Sequence, residues 1–211
     1  MPPEPRRRAG NIAWRRPKAG PGAFPFASRR LRPENAGLGS PSSRELHLDV
    51  VREEPLGFDD AWVARVVTAA LAAAGHRPPA TLTVLFASDD HLRDLNRTFR
   101  GLDKATDVLS FEAGGPATGA AYLGDVAISV PRALEQGERH GHGAAREVGY
   151  LLVHGVLHLL GHDHEADADQ AAMRAVEEAA LARVGLARLD DQASGPATPE
   201  VANPGDEASA P

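Results

Sequence analysis

Four of the chain's nine histidines fall within eleven residues, in His154-Gly155-Val156-Leu157-His158-Leu159-Leu160-Gly161-His162-Asp163-His164. On a helix, His154 and His158 leave the same face about 6 Å apart along the axis, a spacing at which two imidazole nitrogens converge on one cation. The next turn of that face offers Gly161 instead of a third ring. Glycine adopts a left-handed conformation at no steric cost, so it can end the helix and turn the chain back, letting His164 reach the same ion. His162 alternates with His164 and points elsewhere. Imidazoles set among Leu and Val are costly to bury unless something satisfies them, and a metal does so. Asp163 and Glu165 are candidate acceptors for imidazole N–H groups. Glu147, seven residues before His154, shares the helical face at roughly 10 Å and suits a supporting role.

The chain has no cysteine, which excludes disulfide scaffolds, zinc ribbons, iron–sulfur clusters and thiol nucleophiles. Any metal therefore sits on histidine and carboxylate. Three neutral nitrogen donors without a fourth protein ligand make an open site of the catalytic kind; Zn2+, one per chain, is the expected ion, and three imidazoles also accept nickel, cobalt or copper. Zinc lowers the pKa of bound water to ~7. The spacing H-x-x-x-H-x-x-G-x-x-H matches the metzincin protease pattern at every ligand and at the glycine. It departs from it after the first histidine, where a protease keeps a glutamate base and this chain has Gly155. Glycine carries no proton, so proteolysis is disfavoured.

A second unusual segment runs from Leu95 to Phe111. Together with Arg93 it places Arg93, Arg97, Arg100 and Lys104 close together in an otherwise acidic region. Guanidinium groups match phosphate oxygens bidentately, the contact needed to hold an RNA backbone beside a metal. Arg93 and Arg97 share a helical face with Asp90 and Asp94 in reach and read as a solvated, paired surface. Arg100, followed by Gly101 and a turn, is the functional candidate.

The elements that must position these groups follow from periodicity. Leu46–Val50 alternates apolar and polar residues and reads as a strand. Asp59 or Asp60 can cap a helix ending at Gly75. Thr81–Ala87 is β-branched and apolar, hence a strand; Ser88 caps a helix over Asp89–Phe99. Strands follow at Asp107–Phe111 and Tyr122–Ser129. Helices follow at Pro131–His140, Ala144–Leu160 and Asp167–Val184. The mixture predicts one α+β domain: a small mixed β-sheet packed on helices, with a zincin-like metal-binding helix.

Charge divides the chain in three. Residues 1–44 hold ten Lys/Arg against two Asp/Glu, residues 186–211 one against five, and residues 45–185 twelve against twenty-two. The first segment is a Pro/Arg-rich basic extension and the last an acidic tail, both expected to be disordered because they lack apolar periodicity. The acidic middle is the expected enzymatic domain. Phosphate affinity comes mainly from Lys and Arg, so a nucleic-acid role there requires a local basic group or a metal. No apolar run approaches the ~20 residues of a membrane span, and the start lacks a secretory apolar block. A cytoplasmic protein is the expectation.

The block Leu95–Phe111, the strand Leu123-Gly124-Asp125-Val126-Ala127-Ile128-Ser129, and Arg146-Glu147-Val148-Gly149-Tyr150 running into His154–His164 together resemble the YbeY family of bacterial endoribonucleases. Met173 and Glu177 on the last helix also fit. The resemblance covers about residues 46–185 and neither tail. It implies an α+β fold and zinc held by the residues here numbered His154, His158 and His164. It also implies cleavage of single-stranded RNA, a part in maturing the 3′ end of small-subunit (16S) rRNA, and ribosome quality control with the small subunit as partner. Arg100 occupies the position of the family's functionally important arginine. Where the family reads Pro-Thr-Asp, this chain has Ala105-Thr106-Asp107. Two other readings compete: a ribosome-binding assembly factor with structural zinc, and a zincin-like peptidase.

Overall fold

A computed structural model of the chain describes residues 46–113, 121–164 and 166–188. Residues 1–44 and 189–211 of the two expected tails lie outside these residues, as does Glu165; residues 186–188, expected to be disordered, are described, with Leu186 packed on the core and Arg188 beside Glu178. Nine elements follow in order: β1 (Leu46–Arg52), α1 (Asp60–Ala73), β2 (Ala80–Ala87), α2 (Asp89–Arg100), β3 (Val108–Glu112), β4 (Ala121–Ser129), α3 (Val130–His140), α4 (Gly143–Leu159) and α5 (Asp167–Arg183). The type and order of every element match the sequence reading, with ends moved by a residue or two. This is the expected α+β domain with a small mixed sheet.

The sheet runs in the order β1-β2-β4-β3. β1, β2 and β4 are parallel, and β3 lies antiparallel to β4 at one edge. Because side chains alternate across a strand, each strand feeds two cores. Leu82, Val84, Phe86, Val126 and Ile128 face the larger core with residues of α1, α4 and α5. Leu85, Ala87, Leu109, Phe111 and Ala127 face Leu92 and Leu95 of α2 in a smaller one. The sheet is therefore covered on both sides. α4 lies on one face, and the arginine-bearing α2 lies on the other.

Helix starts are set by side-chain oxygens that satisfy otherwise orphaned N–H groups. Asp59 accepts from Trp62 N at 2.7 Å, Ser88 from His91 N at 3.3 Å and Ser129 from Arg132 N at 3.3 Å. α4 is the central helix, with twelve buried residues out of seventeen. It lies so close to the sheet that a Cβ on Gly155 would stand 2.6 Å from Val126 Cγ1 and 3.2 Å from Ser110 Oγ. Ser110 donates a hydrogen bond to the Gly155 carbonyl at 3.2 Å, which fastens the helix to the edge strand.

That contact changes the meaning of Gly155. Its position faces the sheet, so glycine is demanded there by packing, and no acidic side chain fits without moving α4. We expect Gly155→Glu to destabilise the domain by about 3 kcal/mol or more, since it combines overpacking with a buried charge. Urea denaturation followed by circular dichroism measures the loss; unaltered stability would refute the close packing. No peptidase activity should appear in that variant.

Candidate metal centre

α4 carries His154 and His158 one turn apart. Their Nε2 atoms stand 3.1 Å from each other, with the rings edge to face. The helix then stops at Gly161, which takes φ +84°. Gly161 N–H donates to His158 O at 2.9 Å and His162 N–H to Leu157 O at 3.0 Å, the paired bonds of a left-handed helix end. The reversed chain returns His164 to the two rings, at centroid distances of 5.4 Å from His154 and 5.2 Å from His158. One nitrogen from each of the three rings lies within 4.8 Å of the others.

The protonation of the rings follows from their surroundings. His158 is buried, and desolvation together with the His154 and His164 rings and, to a smaller extent, Arg100 pushes its pKa down to about 3, against a raising hydrogen bond from the His162 backbone. It is thus neutral in ordinary buffers, as a ligand nitrogen must be. His154 Nδ1 stands 2.7 Å from Glu177 Oε1 on α5. A carboxylate at Nδ1 fixes the proton there and leaves the Nε2 lone pair facing His158. Tetrahedral zinc holds its donors about 3.3 Å apart, close to the separation of the two Nε2 atoms. An all-imidazole donor set, one ring pinned by a carboxylate and another held neutral by burial, fits a borderline divalent cation such as zinc.

The other residues singled out from the sequence have different places. Asp163 accepts from the backbone N–H of its neighbour His164 at 2.7 Å, so it shapes the loop and touches no ring. Glu147 lies on the α4 face of His154, but its carboxylate contacts His142 Nε2 at 2.5 Å and His140 Nδ1 at 3.7 Å, not the three-ring group. The carboxylate that supports the centre is Glu177, which comes from α5 and not from α4. The signal for it was present on α5: with Met173, Ala180 and Leu181 it forms a buried face, and an acid on such a face requires a partner. We expect Glu177→Gln to weaken metal affinity about 10–100-fold while the fold persists. Calorimetric zinc titration checks this; unchanged affinity would show the contact to be idle.

Arg100 closes α2 before Gly101, whose φ is +72°. Burial pushes its pKa down to about 10, so it keeps its charge at neutral pH. Its charge is the smallest of the influences that oppose protonation of His158, so it lies within electrostatic range of that ring. The loop behind it is anchored by buried Asn96, whose Nδ2 donates to Lys104 O at 2.7 Å. Asp107 accepts from Val108 N at 2.9 Å and Gln136 Nε2 at 3.1 Å, which holds the turn that lacks the family's proline. The other arginines are engaged elsewhere. Arg93 grips Asp103 through two bonds of 2.6 and 3.0 Å, and Arg97 pairs with Asp94 at 2.7 Å. Arg93 thus pairs across the turn, not with Asp90 or Asp94 as the helical spacing suggested.

A polar cavity of about 170 Å³ opens beside the centre, bounded by His154 and His164, by His142 just before α4, by Glu147 and Tyr150 on α4, and by Glu177 and Arg174 on α5. The arrangement defines a class: an α+β domain with a three-imidazole centre on its central helix, an arginine from the opposite layer, and an adjoining cleft. Known proteins place it more narrowly. The family profile described as Endoribonuclease YbeY matches residues 56–185. A Chloroflexus aggregans protein named Endoribonuclease YbeY is 44% identical over 149 residues, covering 67% of this chain and 97% of that relative. One from Moorella thermoacetica is 47% identical over 133 residues, covering 59% and 85%. Among solved structures, the solution structure of TM1509 from Thermotoga maritima superposes with TM-score 0.46 at 20% identity, covering 64% of this chain and 89% of that one. The chain belongs to the Endoribonuclease YbeY family.

Proposed function

We propose that this protein is a zinc-dependent endoribonuclease that cuts single-stranded RNA, acting on the 3′ end of small-subunit (16S) rRNA and in ribosome quality control in the cytoplasm. Family membership supports the reaction class. The observation that carries the mechanism is the convergence of three imidazoles, and the charge of Arg100 within electrostatic range of His158 supports it. His154, His158 and His164 would hold the metal. A divalent cation bound there supplies Lewis acidity toward a phosphoryl oxygen and activates water.

The chain's own groups do the rest. Arg100 presents N–H donors on a guanidinium already stripped of much of its water, so it holds a phosphate more strongly than an exposed arginine would. Glu177 keeps His154 in one tautomer, and burial keeps His158 unprotonated. Phosphoryl transfer relies on positioning and charge neutralisation more than on a dedicated base, so the glycine at 155 is no obstacle. Peptide hydrolysis would need a proton carrier that position 155 has no room to supply. In so acidic a domain phosphate binding needs a local basic group or a metal, and Arg100 beside a bound cation would supply both. No helix among the described residues is long and apolar enough to cross a membrane.

The decisive assay compares single-stranded RNA, duplex RNA and an unstructured peptide, with protein as purified, chelated and reloaded with zinc. Single-stranded RNA should be cut internally, with activity lost on chelation and restored by zinc. Chelator-resistant cleavage would remove the metal from the mechanism. Normal 16S 3′ ends in cells carrying only a folded, cleavage-dead variant would favour an assembly factor over a nuclease.

A further inference from the structure

A second group of metal-binding side chains stands outside the three-ring centre. His140 is the last residue of α3, His142 precedes the first residue of α4, and Glu147 lies one turn further along α4. One donor atom from each lies within 4.8 Å of the others. The two rings are 5.5 Å apart and tilted by 41°. Both offer a nitrogen to the same carboxylate oxygen, Glu147 Oε2, at 2.5 Å from His142 and 3.7 Å from His140.

This convergence is built by glycines. Gly141 ends α3 with φ +71° and Gly143 opens α4 with φ +78°, so the chain reverses within three residues. A Cβ on Gly137 would stand 2.8 Å from the Gly143 carbonyl oxygen, so the last turn of α3 presses directly on the start of α4. Only this tight reversal brings histidines from both sides of the turn onto one acid.

The acid itself needs an explanation. Glu147 is 4% exposed, and a buried carboxylate needs a cation or several donors. The adjacent Arg146 is turned away, held by Glu178 on α5 at 2.9 and 3.0 Å and by the Leu186 carbonyl. Among the described residues, the ion partners of Glu147 are the two histidines. A single His142–Glu147 pair would not require a second ring at the same oxygen.

The geometry points to a second divalent-cation site made of His140, His142 and Glu147. Two imidazoles and one carboxylate are a zinc-type donor set with a vacant fourth position, and they also suit cobalt or nickel. The spacings from Glu147 Oε2, 2.5 Å to His142 and 3.7 Å to His140, lie either side of the roughly 3.3 Å between donors around tetrahedral zinc, so small side-chain rotations close the site. An ion there ties α3 to α4. It also places positive charge on the wall of the cavity that His142 and Glu147 share with His154 and His164. The inference stands apart from the function proposed above, since neither group of donors contains a member of the other.

The test is calorimetric titration of the metal-free full chain with zinc chloride, on the wild type and two double variants. Wild type should take two equivalents. His140→Ala/His142→Ala should take one, and His154→Ala/His158→Ala should take one, the other. Cobalt titration followed by visible absorption should show two spectral components in wild type and a different single one in each variant. His140→Ala alone removes a half-exposed ring at a helix end, leaves the buried acid paired with His142, and should weaken the second equivalent at least about tenfold. The site is refuted if wild type takes a single equivalent that only the His154/His158 variant loses, or if the His140/His142 variant still takes two. Loss in the His140/His142 variant with no loss in the His154/His158 variant would sustain this site and sink the other.

Discussion

Replacing His158 by alanine is expected to abolish stoichiometric metal binding at the three-ring centre and to lower single-stranded RNA cleavage by ~1,000-fold or more. The figure follows from the several kcal/mol of charge stabilisation that a metal supplies in the transition state, at 1.36 kcal/mol per tenfold. His158 is the most informative of the three because it is the most buried and its nitrogen faces His154 directly. Alanine there also relieves an expensive burial of polar atoms, so the fold should survive, with circular dichroism and thermal unfolding close to wild type. Metal content by mass spectrometry and cleavage of a labelled single strand are measured on the same preparation. A folded variant that lacks the metal yet cleaves at the normal rate would end the metal mechanism.

Arg100→Ala is expected to leave metal content unchanged and to cut the cleavage rate by about 100- to 1,000-fold, the usual cost of deleting one preorganised donor to a developing anion. Desolvation gives Arg100 this weight, because a guanidinium with bulk water on all sides would lose little when deleted. The loss should fall on kcat as well as KM, since charge at phosphorus grows in the transition state. Arg100→Lys keeps the charge but not the forked donors and should recover only part of the rate. Exposed Arg97, already paired with Asp94, serves as the control, and its alanine variant should act within about twofold of wild type. If Arg97→Ala lost as much as Arg100→Ala, the effect would be general electrostatics and not a placed donor.

Local rules made most of the domain legible in advance. Alternation identified β1 and β-branched, apolar content β2, and Asp59 and Ser88 sit where helix starts need an oxygen. The spacing of His154 and His158 and the glycine at 161 anticipated the convergence of three rings, because helical pitch and the left-handed cap are properties of a few neighbouring residues. Gly155 cannot act as a base by its residue type, and packing explains why glycine is there. Its side of the helix is pressed against Val126 and Ser110, a fact no single helix contains. Glu147 was placed near the centre from its helical face alone, whereas the turn before α4 delivers two histidines that claim it.

The sequence by itself determined what lies within a turn or two of chain: the element order, the helix ends, and the rings grouped around α4. Only the packed structure decided which distant groups meet them. Glu177 reaches His154 because α5 packs on α4, twenty-three residues away in sequence. Arg100 reaches the neighbourhood of His158 from the helix on the other side of the sheet. Pitch and backbone sterics act over a few residues and can be read in order along the chain. The meeting of separate helices depends on how whole faces bury against one sheet, a sum over many weak contacts that no short stretch of sequence records.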